Sequence, residues 1–261
     1  MTATAPPVPV LAPDLEAALR RLKLARIRAL APEILHTAKT QRWTPEEVLR
    51  TLIEAEVAAR DAANAAARMR HAHFPVSKTL AAFEVAASSI PPATFAYLAS
   101  LEWVRAAENL CLVGPSGTGK SHLLVALGAA AVAAGQRVRY FSAATLIETL
   151  YRGLADNSVG RLVEGLLRHD LLLIDEMGFA PLDAVGSHLL FRVVAAAYER
   201  RSVALASHLP FDQWGSFLPE QATAVAVLDR LLHHATVVVT SGESYRMREA
   251  RARRGGTILT A

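Results

Sequence analysis

The pattern of apolar and polar positions divides the chain into a helical first part and a second part in which strands and helices alternate. Over residues 14–72 apolar side chains recur at helical spacing. Residues 44–47, Thr-Pro-Glu-Glu, form a typical helix start, with Thr as N-cap, Pro in the first turn and Glu three residues after the cap. We expect a long helix from this point to about His71.

The segment 74–93 has little periodicity and contains two proline breaks, so we interpret it as a linker. This gives an expected organisation of three parts: a helical N-terminal domain over residues 1–73, the linker over 74–93, and a second domain over 94–261.

In the second domain short apolar runs alternate with helical stretches, one of which covers residues 121–134. The predicted strands are residues 109–113, 137–141, 171–175, 203–207 and 237–240. This order is typical of an α/β fold with a parallel five-stranded sheet flanked by helices. Ligands of such sheets bind at the carboxyl ends of the strands.

Composition narrows the possible classes of protein. An apolar content of 52% is ample for a core, and the single cysteine, Cys111, excludes an internal disulfide framework. Cys111 falls in a predicted buried strand, where it is a small hydrophobic residue. The first residues lack the features of a signal peptide, and the longest apolar run, residues 123–134, is too short to span a bilayer. We expect a cytoplasmic protein without a membrane partner.

The first candidate for chemistry is "GPSGTGKS" at residues 114–121, which fits the phosphate-binding pattern G-x-x-x-x-G-K-[ST]. It follows a predicted strand and precedes a predicted helix, so bound phosphates would lie at a helix N-terminus. Lys120 is expected to reach the β- and γ-phosphates of ATP, and the Ser121 hydroxyl to bind Mg²⁺. The expected nucleotide-binding residues are Gly114, Pro115, Ser116, Gly117, Thr118, Gly119, Lys120, Ser121 and His122.

The second candidate is "LLLIDEMG" at residues 171–178, where two carboxylates end an apolar strand. Asp175 is expected to share the Mg²⁺ of Ser121, as a Walker-B Asp does. Glu176 can orient and polarise a water for attack on the γ-phosphate. A metabolite kinase has no use for such a base, so the pair favours an ATPase.

The net charge of +4 comes from the first part of the chain, because residues 1–78 hold 12 Lys and Arg against 8 Asp and Glu. One basic cluster lies at residues 20–28, and a second lies in the tail at residues 246–254. Such clusters suit contact with nucleic-acid phosphates. A solvated helix face would have the same composition, and charge alone leaves both interpretations open.

Further along the chain come "LPFDQW" at residues 209–214, "LDRLLHH" at 228–234 and "SYR" at 244–246. These three motifs resemble those of the IstB-type helper ATPases of bacterial insertion sequences. The resemblance also includes the phosphate loop (Walker A), residues 171–178 (Walker B), "HFPVSKTL" at 73–80 and "LIEAE" at 52–56. The IstB-type ATPases belong to the AAA+ superfamily alongside DnaC-type helicase loaders. The motifs are spread over most of the chain and are specific in combination.

The resemblance implies a transposition helper that binds ATP, assembles into homo-oligomers on double-stranded DNA, and recruits and stimulates an IstA-type transposase. Arg230 matches the arginine finger that reaches a neighbouring subunit's nucleotide, and Arg246 lies where a second sensing arginine is expected. His208 occupies a position where related sequences usually have Asn, and where the side chain places the attacking water or senses the γ-phosphate. About twenty residues follow the last predicted strand, which implies a reduced C-terminal lid.

Two other functions remain open at this stage. One is a DnaC-like loader of a replicative helicase, and the other is a P-loop kinase, against which Glu176 and Arg230 argue. The adjacent His233 and His234 could suggest a metal site, but neighbouring residues on a helix point apart, so we expect none there.

Overall fold

The computed structural model describes residues 10–245 and residue 247. Its internal contacts divide the chain into two compact units, the first ending at Ala67 and the second beginning at Arg68. Among the described residues, the helices lack either the length or the apolar character needed to cross a membrane.

The first unit is helical. Its helices are α1 (Pro13–Arg21), α2 (Ala25–Gln41) and the greater part of α3 (Pro45–Ala72). The predicted start of α3 is confirmed, since the Glu47 carboxylate accepts from the Thr44 N–H at 2.6 Å and the Thr44 hydroxyl accepts from the Glu47 N–H at 3.2 Å. The buried Glu56 accepts from the Arg26 and Ile27 N–H groups, which caps the first turn of α2 and, through the Ile27 bond above all, lowers the pKa of Glu56.

The second unit is a parallel α/β sandwich. Its helices after α3 are α4 (Pro92–Ser100), α5 (Glu102–Arg105), α6 (Lys120–Ala133), α7 (Ala143–Ala155), α8 (Val159–Leu166), α9 (Ala184–Ala197) and α10 (Gln221–Leu232). Its strands are β1 (Asn109–Val113), β2 (Val138–Ser142), β3 (Leu171–Met177), β4 (Ser202–Ser207) and β5 (Ala235–Val239). They form one sheet in the order β2-β3-β4-β1-β5, with every neighbouring pair parallel.

Both faces of this sheet are buried, which explains why the strands are continuous apolar runs. Alternate residues of β1, β3 and β4 face two separate cores. Leu110 and Leu112 pack with α4, α5 and α6, whereas Cys111 and Val113 pack with α7, α8, α9 and α10. Burial raises the pKa of the Cys111 thiol to about 12, consistent with its expected role as a small hydrophobic residue.

The α/β class and the five-stranded sheet predicted from the sequence are confirmed, with shifts at several strand ends. β1 has the predicted bounds, β2 lies one residue later, and β3 runs on through Met177. β5 begins at Ala235, two residues before its predicted start.

The interpretation of residues 74–93 as a linker is wrong for much of that segment. Phe83 and Ile90 are buried in the core beneath α4 and α6, and Pro92 already lies in the first turn of α4. The segment lacks a period because it is mostly irregular, with one short 3₁₀ turn at Val85–Ala87, but it is packed as part of the second unit.

Candidate nucleotide-binding site

A cavity of about 560 Å³ opens at the carboxyl ends of β1, β3 and β4, within the usual size range of small-molecule sites. It brings together predicted site residues that are far apart in the sequence: residues 116–122 of the phosphate loop and the start of α6, Asp175, Glu176 and His208. Gly114 and Pro115 lie behind this lining, where their carbonyl oxygens accept from the Lys120 ammonium at 2.6 and 2.7 Å.

Two glycines of the loop have no room for a side chain. Gly114 and Gly117 have φ values of 146° and 84°, and a Cβ atom on them would overlap the Thr240 carbonyl and the Ser244 hydroxyl respectively. The Thr118 and Thr240 hydroxyls are 2.7 Å apart, and the Tyr245 N–H donates to the Gly117 carbonyl at 3.0 Å. Residues 240–245, which follow β5, are therefore packed directly against the phosphate loop.

Lys120 is the first residue of α6 and is buried, with 8% of its surface exposed. Its ammonium stays close to the loop because it donates hydrogen bonds to the Gly114 and Pro115 carbonyls. The orphan N–H groups at the start of α6 and this buried cation together make the loop suited to an anion. A triphosphate bound in the loop would place negative charge next to this ammonium.

Asp175 is the centre of the polar part of the site. Its Oδ1 accepts from the Ser121 hydroxyl at 3.0 Å and from the Glu176 N–H at 2.8 Å, and its Oδ2 accepts from the Tyr140 hydroxyl at 3.1 Å. A carboxylate and a hydroxyl this close, both oxygen donors beside a phosphate loop, fit the preference of Mg²⁺ for oxygen ligands. Ser121 and Asp175 are thus the residues that would hold this ion.

Glu176 is exposed within a strand whose other residues are all buried. Its φ of 59° and a register shift between Ile174 and Met177 take it out of the ladder that β3 forms with β4. The irregularity turns the carboxylate toward the cavity, because Glu176 would otherwise be one more residue of a buried strand.

Two histidines of the cavity have a buried ring nitrogen with no hydrogen-bond partner in the part of the chain that is described: Nδ1 of His208 and Nε2 of His122. The His208 ring lies 4.5 Å from that of Phe179, and the His122 ring lies edge-on to Phe83 at 5.4 Å. Burial lowers the pKa of His122, so its ring is neutral at neutral pH. Such unsatisfied polar atoms are what a polar ligand in the cavity would pair with.

Arg230 lies elsewhere, and it is absent from the described lining of the cavity. Its guanidinium lies 4.9 Å from the centre of the Phe191 ring and donates to the Ala226 carbonyl at 3.1 Å. Arg246 falls outside the described residues.

One wall of the cavity is formed by residues that the sequence motifs do not predict. Val76 and Phe83 from the supposed linker line it, as does Tyr245, whose hydroxyl donates to Glu84 at 3.4 Å. The apolar faces next to the phosphate loop suit the flat ring of a base. The proline and aromatic residues in "HFPVSKTLAAF" were the available signal, but such residues indicate burial without saying against what.

The IstB-like ATP binding protein family matches residues 17–253 of the chain. The chain is 35% identical over 239 residues to an ATP-binding protein of insertion sequence IS21 from Pseudomonas aeruginosa, covering 91% of this chain and 90% of that protein. It is 33% identical over 215 residues to the corresponding protein of insertion sequence IS5376 from Geobacillus stearothermophilus, covering 82% and 86%.

Solved structures share the AAA+ fold. AMPPCP-bound DnaA from Aquifex aeolicus superimposes with a TM-score of 0.54 at 20% identity, over 72% of this chain and 58% of that one. A DnaC helicase loader superimposes with a TM-score of 0.50 at 17% identity, over 62% of this chain and 96% of that one.

Proposed function

Since the chain belongs to the family of IstB-like ATP binding proteins, we propose that it is the ATP-dependent helper of an insertion sequence's transposition. It binds ATP with Mg²⁺, assembles into homo-oligomers on double-stranded DNA, and recruits and stimulates an IstA-type transposase. It also hydrolyses ATP to ADP and phosphate. The main support for ATP hydrolysis is that the phosphate loop, Asp175 and Glu176 line the same cavity.

In this proposal the loop and the start of α6 bind the triphosphate, with the Lys120 ammonium against the β- and γ-phosphates. Ser121 and Asp175 would hold Mg²⁺, which would supply positive charge to neutralise the transferring phosphoryl group. Glu176 accepts a proton from the attacking water, and its displacement from the β3 ladder leaves the carboxylate accessible to that water.

His208 lies at the end of β4, and its ring faces the cavity next to Phe179. We assign it the role of holding the attacking water or the γ-phosphate by a hydrogen bond from its ring. Arg230 would complete the site of a neighbouring subunit, where a guanidinium stabilises the charge that develops during transfer. ATP sites at subunit boundaries would make hydrolysis depend on assembly.

The sequence relatives favour this proposal over the two alternatives. They are proteins of insertion sequences and are similar over most of their own length. The likeness to a DnaC helicase loader, at 17% identity, is one of fold alone. A phosphoryl-transfer assay with mixed small acceptors tests the kinase alternative directly.

The catalytic assignment is tested by Glu176→Gln, which keeps the size of the side chain and removes the base. Phosphate release should fall by roughly 10²–10⁴-fold, the usual contribution of general-base catalysis, while nucleotide affinity is retained. Glu102→Gln, on an exposed carboxylate in the first turn of α5, is the matched control and should hydrolyse ATP normally. Hydrolysis by Glu176→Gln at the wild-type rate would refute the assignment.

The same preparations test the helper role when they are added with ATP and duplex DNA to the transposase encoded by the same insertion sequence. Wild-type protein should increase strand transfer, and the increase should require ATP. If wild-type protein binds and hydrolyses ATP but leaves strand transfer unchanged, the helper role is wrong and the assignment of an ATPase site still stands.

A further inference from the structure

Away from the nucleotide site, three metal-ligating side chains converge on the surface of the second unit. Glu199 lies between α9 and β4, and His233 and His234 lie between α10 and β5. Each offers one ligand atom, and these atoms lie within 4.8 Å of one another. The Glu199 Oε1 and the His234 Nε2 are 3.4 Å apart. The cluster is exposed, so an ion can reach it from solvent.

The expectation that His233 and His234 point apart is wrong. It rested on a helix continuing through both residues, but α10 ends at Leu232. The chain turns into β5 at Ala235, and the two imidazole rings come to lie with their centres 4.1 Å apart. The end of the helix therefore brings together two side chains that a regular helix would separate.

The backbone on both sides of the cluster is fixed by one buried residue, Asn109. Its side-chain amide donates to the Leu231 carbonyl at 3.1 Å, and its side-chain oxygen accepts from the Val203 N–H at 2.9 Å. Its own backbone N–H donates to the His234 carbonyl at 2.7 Å. The segments that carry the three ligand side chains are thus tied to the same point of the sheet, which reduces the entropic cost of bringing the ligands together.

Tyr198 orients one of the rings, since its hydroxyl is hydrogen-bonded to the Nδ1 of His233 and the two rings are stacked at 5.8 Å. When His233 donates from Nδ1 to this hydroxyl, its Nε2 is left with a lone pair for a metal. A second hydrogen bond of this kind is the usual support of a metal-binding histidine.

We propose that Glu199, His233 and His234 form a binding site for Zn²⁺, with Tyr198 as a positioning residue. Two imidazoles and one carboxylate match the nitrogen and oxygen ligands that Zn²⁺ takes, and three protein ligands leave a coordination position for water. The ion would join the α9–β4 connection to the α10–β5 connection, three residues after Arg230. The proposal does not depend on nucleotide chemistry.

The test uses full-length protein without a histidine tag, freed of metal by a chelator, and titrated calorimetrically with Zn²⁺. A large excess of Mg²⁺ keeps Zn²⁺ away from Ser121 and Asp175. We expect one Zn²⁺ per chain, a rise in the unfolding temperature on binding, and, with Co²⁺ instead, the visible absorption of a four-coordinate site. His234→Ala and Glu199→Gln should each weaken Zn²⁺ binding by at least about tenfold, and Tyr198→Phe by about tenfold.

His188→Ala is the matched control, because His188 is also exposed and paired with a glutamate, Glu220, at 2.7 Å, but among the described residues it belongs to no cluster of three metal-ligating side chains. It should leave Zn²⁺ affinity unchanged. The proposal is overturned if wild-type protein binds no Zn²⁺, or if His234→Ala and His188→Ala bind it equally well. The Co²⁺ spectrum and the thermal shift of the wild type keep the test valid even if a variant folds poorly.

Discussion

At the scale of single residues, Asp175 has a hydrogen-bond partner that the sequence motifs do not predict. Asp175 and Ser121 could be paired from motif spacing, but the third partner, Tyr140, comes from β2 and belongs to no motif. Burial, followed by the charge of Asp175, raises the pKa of Tyr140, so its hydroxyl remains protonated and donates to the carboxylate. Tyr140 therefore fixes the orientation of the carboxylate that would hold Mg²⁺.

This role of Tyr140 predicts the outcome of Tyr140→Phe, which removes the hydroxyl and keeps the ring. The Mg²⁺ concentration needed for half-maximal hydrolysis should rise by about tenfold, the cost typical of losing a partner of a metal ligand. Nucleotide affinity measured without Mg²⁺ should change little. Titrations of Mg²⁺ at fixed ATP, followed by phosphate release, provide the measurement.

The matched control is Tyr97→Phe, since the Tyr97 hydroxyl also donates to a carboxylate, that of Glu108, at 2.9 Å, and is not among the described residues lining the cavity. It should leave the Mg²⁺ requirement unchanged. If Tyr140→Phe has the same Mg²⁺ requirement as wild-type protein, the hydroxyl has no part in orienting Asp175.

At the scale of helices and strands, the success of sequence prediction follows the regularity of the elements. β1 and β3 were predictable because a strand buried on both faces must be apolar throughout. Residues 74–93 were misinterpreted because irregular backbone has no period, and the burial of Phe83 depends on α6, which is distant in sequence. His233 and His234 were misjudged because one residue decides where α10 ends, and helix ends are the least predictable feature.

The packing of α9 against α10 bears on the proposed arginine finger. Phe191 of α9 lies under the Arg230 guanidinium, and this cation–π contact limits the directions in which the side chain extends. Arg230 is half-buried and is not among the described residues that line the cavity of its own chain, which suits the proposed role at a neighbour's nucleotide.

Arg230→Ala should therefore bind ATP almost normally and hydrolyse it about 10³-fold more slowly or worse, the usual cost of losing such a residue. Mixing it with Lys120→Ala should restore part of the activity, because some sites combine an intact loop from one subunit with an intact arginine from the next. Arg192→Ala, next to Phe191 and exposed, is the control and should remain active. No recovery in mixtures shown to co-assemble would contradict action between subunits.

At the scale of the whole molecule, the sequence shows where positive charge is concentrated but not what it contacts. In the cluster at residues 20–28, Arg20 pairs with Glu16 at 2.9 Å, although 69% of its side chain is exposed. An exposed pair of this kind contributes little and is readily exchanged for a phosphate. The second cluster, which begins at Arg246, lies outside the described residues. A salt titration of DNA binding distinguishes a solvated face from a DNA contact.

If these clusters meet the DNA backbone, affinity should depend weakly on base sequence and steeply on salt, with each neutralised phosphate adding about −0.9 to the slope of log affinity against log salt. One subunit offers few contacts, so tight binding should require ATP-driven assembly that repeats them along the duplex. Replacing Arg20, Arg21 and Lys23 with Ala should flatten the slope and weaken binding to all sequences alike. Truncation after Tyr245 should do the same for the tail.

The measurement is a salt titration of duplex affinity in the presence of a non-hydrolysable ATP analogue, with ATP affinity recorded for every variant. Arg50→Ala is the control, because Arg50 is nearly as exposed as Arg20, pairs with Glu46 in the same i, i+4 manner, and lies outside both clusters. Its slope should equal that of wild-type protein. Unchanged slopes in both the triple variant and the truncation would exclude the clusters as the DNA contact, because counterion release cannot stay constant when phosphate-neutralising cations are removed.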